Sequence, residues 1–161
     1  MKHHDLGMLD GDVLLFGGPY SNLQATQAVF AQARARSIAP DHVICTGDVV
    51  AYCGAPAATV DAVRASGCTV IAGNCEVQIA ANADDCGCGF EEGTTCDRLS
   101  AAWYAFAQSR LDAQARDWMG ALADAAATAR AEEALALHRA AEAEKTRRFE
   151  EATELFARRK E

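Results

Sequence analysis

Basic residues are the scarce class in this chain. Fifteen Lys and Arg stand against 23 Asp and Glu, giving a net charge of −8 over 161 residues. That balance argues against a nucleic-acid binder, whose phosphate contacts need a basic face. Long apolar runs are also missing, and no stretch approaches the roughly 20 residues of a membrane span. The opening Met1-Lys2-His3-His4-Asp5 lacks the apolar core of a signal peptide, which predicts a cytoplasmic chain without a membrane partner. Proline is rare, at three residues, and residues 121–161 hold no Pro, Gly or Cys. Apolar residues, by contrast, make up 50% of the chain, too many for intrinsic disorder and enough for one buried core. Cysteine is dense, at seven. An odd number in a non-secreted chain reads as thiols or metal ligands rather than as a disulfide framework.

Composition divides the chain at Gly120. Residues 1–120 carry seven basic and 14 acidic residues; residues 121–161 carry eight and nine, and are dominated by Ala, Glu and Arg. Within the first part, strand and helix signals alternate. Val13-Leu14-Leu15-Phe16 is a short apolar run stopped by Gly17-Gly18-Pro19 and reads as a buried strand. Asn22 is a suitable N-cap for a helix from Leu23 to about Ser37, with Val29, Phe30 and Ala33 inward. A second strand spans 42–46 and ends at Gly47-Asp48. A second helix spans 57–66, and a third strand spans 68–72, ending at Gly73-Asn74. This β-α-β-α-β order predicts an α/β fold with a parallel, helix-covered sheet, whose chemistry belongs at the carboxyl ends of the strands. A Cys/Gly/acidic loop, 84–97, follows. Helices are then expected over about 98–108 and 111–119, with Trp103, Tyr104 and Phe106 in the core. An all-helical segment, solvated or packed on a partner, is expected from Ala121 onward, because Ala, Glu, Arg and Leu favour helix. His3 and His4 read as a loose terminus.

Three strand ends carry the motif candidates: Gly17-Gly18-Pro19-Tyr20-Ser21-Asn22, Gly47-Asp48-Val49-Val50-Ala51-Tyr52 and Gly73-Asn74-Cys75-Glu76. In order and spacing they resemble the first three motifs of the calcineurin-like metallophosphoesterases: Gly-Asp-x-His-Gly-Asn, Gly-Asp-x-x-Gly and Gly-Asn-His-Glu. The resemblance covers about residues 12–120. It implies the first half of a two-sheet sandwich and two divalent metals (Mn, Fe or Zn) at the strand ends. It also implies hydrolysis of a phosphomonoester or phosphodiester by metal-bound hydroxide. Residue by residue, Asp48 falls on the bridging metal ligand and Asn74 on the amide ligand of the second metal. Asn22 closes the first motif, and Glu76 falls on a supporting acid. Cys75 stands where the family has a His beside the transferring phosphoryl group. Gly18 and Tyr20 replace the Asp and His that ligate the first metal. Later His-bearing motifs have no clear counterpart, although His138 is a candidate relic. A half sandwich leaves one apolar face bare, so either the helical segment covers it or the chain forms a homodimer.

The cysteines form a second constellation. Cys53, Cys75, Cys86, Cys88 and Cys96 all fall near the same sheet edge and are candidates for a Zn site, an iron–sulfur cluster, a redox thiol pair or plain reduced thiols. Cys45 and Cys68 lie within strands and read as small buried residues. Asp84, Asp85, Glu91 and Glu92 read as a solvated acidic rim. Three functional readings therefore stand together. One is a divergent metal-dependent phosphoesterase acting on a phosphorylated small molecule. The second is a non-catalytic module of that fold working through partner or self-association. The third is a thiol-based metal or redox site. A turn-forming role is the bland alternative for Asp48.

Overall fold

The computed structural model describes residues 2–127 and Arg147. By its contacts the chain divides into two units, Met1–His4 with Leu9–Ala126 and Asp5–Met8 with Ala127–Glu161. The architecture described here is that of the first. Its elements, in order, are β1 (His3–Asp5), β2 (Leu14–Phe16), α1 (Leu23–Ala35), a single 3₁₀ turn (Pro40–His42), β3 (Val43–Cys45), α2 (Pro56–Ser66), β4 (Thr69–Val70), α3 (Asn74–Ala80), α4 (Thr95–Arg110), α5 (Ala113–Ala121) and β5 (Ala125–Ala127).

β2, β3 and β4 form a parallel sheet in that order. Leu14 pairs with Val43 and Phe16 with Cys45, while Ile44 pairs with Thr69 and Cys45 with Val70. All three residues of the central strand β3 are buried, as expected of a parallel strand covered by helices. The first helix starts where Asn22 accepts from Ala25 N at 3.0 Å. Its buried stripe is Thr26, Phe30 and Ala33, with Val29 at the margin. Phe30 meets Phe16 edge-on at 5.7 Å. Helix α2 opens on Pro56, whose missing N–H is unneeded in a first turn, and stops at Gly67 in the left-handed region. Thr59, Val60 and Val63 are its inner face. Burying one such aliphatic side chain contributes about 1.5–3 kcal/mol.

Two helices carry clear start signals. Thr94 accepts from Asp97 N at 3.2 Å before α4, and Asp112 accepts from Ala115 N at 2.8 Å before α5. Ser100, Trp103, Tyr104 and Ala107 are buried on α4 at helical spacing. Arg116 holds this side together by donating to the carbonyls of Ile79 and Gln108 at 3.2 and 2.7 Å.

Three differences from the sequence reading are physical. Residues 74–80 form a helix that the motif reading left unassigned. The stretch at His3 and His4 is a strand, β1, not a loose end. The neighbouring Lys2 is tied down at both ends, its backbone N–H to Asp124 and its Nζ to Gly120 O, each at 2.6 Å. Ala125–Ala127 are extended and pair with β1, although alanine favours helix; pairing overrides propensity over three residues. Most of the expected C-terminal helical segment, including His138, lies outside the described residues. Among the described residues, no helix is long and apolar enough to cross a membrane.

Candidate functional site

The site is built from the loops that leave β2, β3 and β4. These loops are zipped together by their own backbones. Gly18 N donates to Gly47 O at 3.1 Å, Tyr20 N to Asp48 O at 3.1 Å and Ser21 N to Val49 O at 2.9 Å. Ser21 is buried, and its hydroxyl accepts from Ala51 N at 3.2 Å. Four non-glycine residues here adopt positive φ: Tyr20 (50°), Ser21 (57°), Asp48 (54°) and Tyr52 (34°). Such conformations cost on the order of 1–3 kcal/mol each and persist only where their surroundings dictate them.

Backbone bonds between the loops hold Tyr20, Ser21 and Tyr52, and Glu76 holds Asp48. Glu76 projects from the first turn of α3 and is fully buried. Its Oε2 accepts from Asp48 N at 2.8 Å and from Gly73 N at 2.9 Å, and its Oε1 from Val49 N at 2.8 Å. One carboxylate thus ties the third strand's exit to the second's. Burial pushes its pKa up, and the backbone N–H donors oppose that rise.

Asp48 stands beside this clamp. Its Oδ1 is buried with no hydrogen-bond partner. Gly73 makes room for the carboxylate, since a Cβ there would strike Oδ1 and stand 2.9 Å from Asp48 Cγ. Asn74, the first residue of α3, donates from Nδ2 to Cys86 O at 2.8 Å. The same nitrogen lies 3.7 Å from Cys75 Sγ and 3.6 Å from Cys88 Sγ. Cys75 is buried, and burial, then the charges of Asp48 and Glu76, push its thiol well up, so it is a neutral thiol. Asn22 caps α1 with its side-chain oxygen.

At the first motif the chemistry has changed. Gly18 has φ 59°, and a Cβ built on it would run into the Tyr20 ring, 2.8 Å from Oη. Tyr20 meets Tyr52 edge-on at 5.1 Å, Tyr52 meets Trp103 at 5.2 Å, and Trp103 meets Tyr104 at 5.8 Å. Tyr20 and Tyr52 are 39% and 57% exposed, so the first motif now leads into an aromatic surface. Burial, then Tyr20, raises the Tyr52 phenol further, so it stays neutral.

The cysteines do not assemble as a metal site. Cys86 and Cys88 form a disulfide, and disulfide sulfurs offer no thiolate. Cys53 and Cys96 are exposed, on the loop after β3 and on α4, while Cys45 and Cys75 are buried. Among the described residues, no group of three or more His, Cys, Asp or Glu converges. The strand-end rule brings Asp48, Asn74, Cys75 and Glu76 together. It gave no sign that Trp103, on α4, would meet Tyr52, the residue that ends the second motif string.

The sequence profile of the calcineurin-like phosphoesterases matches residues 4–146. The chain belongs to this family. Among solved structures, the crystal structure of a metallophosphoesterase from Sphaerobacter thermophilus is similar, with TM-score 0.48 and 21% identity over 68% of this chain. The similarity spans 40% of that protein's length. Curated proteins return no match.

Calcineurin-like phosphoesterases generally use divalent metals. Half of the expected donor set fits that role here. Asp48 Oδ1 is a buried, unpartnered carboxylate oxygen in a cradle that any Cβ at position 73 would fill, and the Asn74 amide oxygen is an acceptor. The other half does not fit. Gly18 has no donor atom, and the space a side chain would need there is held by the Tyr20 ring. The described residues therefore do not provide a two-metal centre.

Proposed function

We propose that this chain is a non-catalytic member of the metallophosphoesterase fold, in which the strand edge serves binding rather than hydrolysis. The observation that carries the reading is the Tyr20 ring over Gly18, which replaces two first-metal ligands with an aromatic surface. A phosphorylated small molecule is the ligand class that suits the retained Asp48–Asn74 side, and a second copy of the chain is a candidate partner for the Tyr20–Tyr52 surface. An acidic chain without a membrane-length apolar helix among its described residues is consistent with the cytoplasm. The test is hydrolysis of p-nitrophenyl phosphate and bis(p-nitrophenyl) phosphate with Mn, Fe or Zn, run beside sedimentation analysis. The expected result is no turnover above the metal-only background. Metal-stimulated turnover abolished by Asp48→Asn overturns the reading.

One observation favours a second reading, metal-dependent phosphoester hydrolysis. The unpartnered, buried Asp48 Oδ1 is a poor arrangement without a cation. That reading needs donors beyond the described residues, and the same Asp48→Asn comparison decides it.

A further inference from the structure

We propose that the Cys86–Cys88 disulfide is a thiol–disulfide exchange centre for small cationic thiols. The disulfide lines a cleft of about 170 Å³ with Asp85, Phe90, Asp97 and Ser100. Its two sulfurs are not equivalent. Both cysteines line the cleft, but Cys86 is 3% exposed whereas Cys88 is half-buried. The turn between them is fixed: Gly87 has φ 67°, its N–H donates to Asp85 Oδ1 at 2.7 Å, and a Cβ there would meet the Gln78 side chain. Asn74 Nδ2 anchors Cys86 O at 2.8 Å and lies 3.6 Å from Cys88 Sγ.

These positions assign the steps. An incoming thiolate attacks the reachable sulfur, Cys88. A bond forms between its sulfur and Cys88 Sγ, the Cys86–Cys88 bond breaks, and Cys86 leaves as a thiolate that takes a proton from water. A second thiolate attacks the bound sulfur of the first. The small-molecule disulfide departs, and Cys88 is released as a thiolate beside the Asn74 amide N–H, then protonated. Two thiols are oxidised to one disulfide, and the protein gains two electrons and two protons. Cys75 takes no part, because it is 3% exposed and does not line the cleft.

Charge selects the thiol. The cleft carries two carboxylates, Asp85 and Asp97, and no basic side chain lines it. A cationic thiol is concentrated there and an anionic one is repelled, an effect that salt screens.

The test uses the Cys53→Ser/Cys96→Ser chain, which removes the two exposed thiols and leaves the centre intact. The chain is equilibrated with cystamine, desalted, denatured and titrated with Ellman's reagent. Cys45, Cys68 and Cys75 should titrate, with Cys86 and Cys88 joining them only after reduction. Reduction rates are then compared for cysteamine and 2-mercaptoethanesulfonate at equal thiolate concentration. Cysteamine should be roughly tenfold faster at low salt, with the preference lost near 1 M salt and reduced several-fold in Asp85→Asn/Asp97→Asn. All five remaining cysteines titrating after cystamine overturns the proposal. So do equal rates for the two thiols, or a preference unchanged by removing the two cleft carboxylates.

Discussion

Gly73 is the point at which the site can be broken by one carbon atom. Its φ of −82° is ordinary, so alanine meets no backbone penalty there. The penalty is spatial: a Cβ would stand 2.6 Å from Asp48 N and 2.9 Å from Asp48 Cγ, and would also strike Oδ1. Comfortable separations start near 3.5 Å, so the overlap is about 0.6–0.9 Å. Neither side can withdraw freely, because Asp48 N and Gly73 N both donate to Glu76 Oε2, at 2.8 and 2.9 Å. Overpacking costs about 1–3 kcal/mol. Loss of one hydrogen bond to a charged acceptor adds about 1.5–3 kcal/mol. Removing a glycine from the unfolded chain offsets about 0.4–1 kcal/mol. The net expectation for Gly73→Ala is a loss of about 2–5 kcal/mol, enough to lower a urea midpoint by at least about 1 M. Gly120→Ala is the matched control. Its Cβ would meet Ala80 Cβ at an ordinary 3.5 Å, within α5, and should leave stability unchanged or raise it by up to about 1 kcal/mol. Equal midpoints for the two variants would refute the close-approach argument.

Glu76→Ala takes the acceptor from the backbone N–H groups of Asp48, Val49, Val50 and Gly73, at up to about 1–3 kcal/mol each. It should lose near-ultraviolet circular dichroism, whereas Glu76→Gln, which keeps one acceptor oxygen, should stay folded. Gly18→Asp should destabilise the chain through its clash with the Tyr20 ring, and Tyr20→His in the same chain should recover at least half of the loss; a purely additive pair of urea midpoints contradicts this. Burial pushes the Cys45 thiol up to about 12, so native chain treated with iodoacetamide at pH 8 should be modified at Cys53 and Cys96 and not at Cys45, as read by peptide mass analysis. His42 is raised above its ordinary value of 6.5, first by its 3.0 Å hydrogen bond to Asp41. The stabilisation it brings is therefore complete below that value and is lost as pH rises through the folded pKa. An NMR titration should show the raised pKa, and Asp41→Asn should reduce the rise, leaving the part that Asp10 supplies.

The sheet was legible because its strands are short, continuous apolar runs closed by glycine, but only β3 is buried on both faces, and β2, read as a buried strand, leaves Leu15 66% exposed. The site was legible only where that same rule reaches. Asp48 and Asn74 follow strands directly, so topology alone places them together. Helix α3 was hidden because Gly73 supplies no capping side chain, and only half of a capping box remains, the Glu76 carboxylate on Gly73 N. That Glu three residues after Gly73 was the available signal. The meeting of Trp103 with Tyr52 carries no local mark, since it depends on loop conformation and on where α4 packs. The disulfide ran against composition, which counted seven cysteines and read thiols or metal ligands, with a redox thiol pair as one alternative for the cysteine loop.

Where metal ligands also hold a fold, losing the metal means losing the structure, because binding free energy is then folding free energy. The strand-end loops here are held differently. Their positive-φ residues are fixed by backbone bonds between the loops and by Glu76, which accepts from Asp48, Val49 and Gly73 and needs no cation to do so. Loop geometry is thereby separated from ligand chemistry. Positions 18 and 20 are coupled in space: the Tyr20 ring occupies the volume that a side chain at position 18 would need. Gly73 and Glu76 shape the Asp48 cradle by close approach and by backbone hydrogen bonds, which hold whether or not an ion is bound.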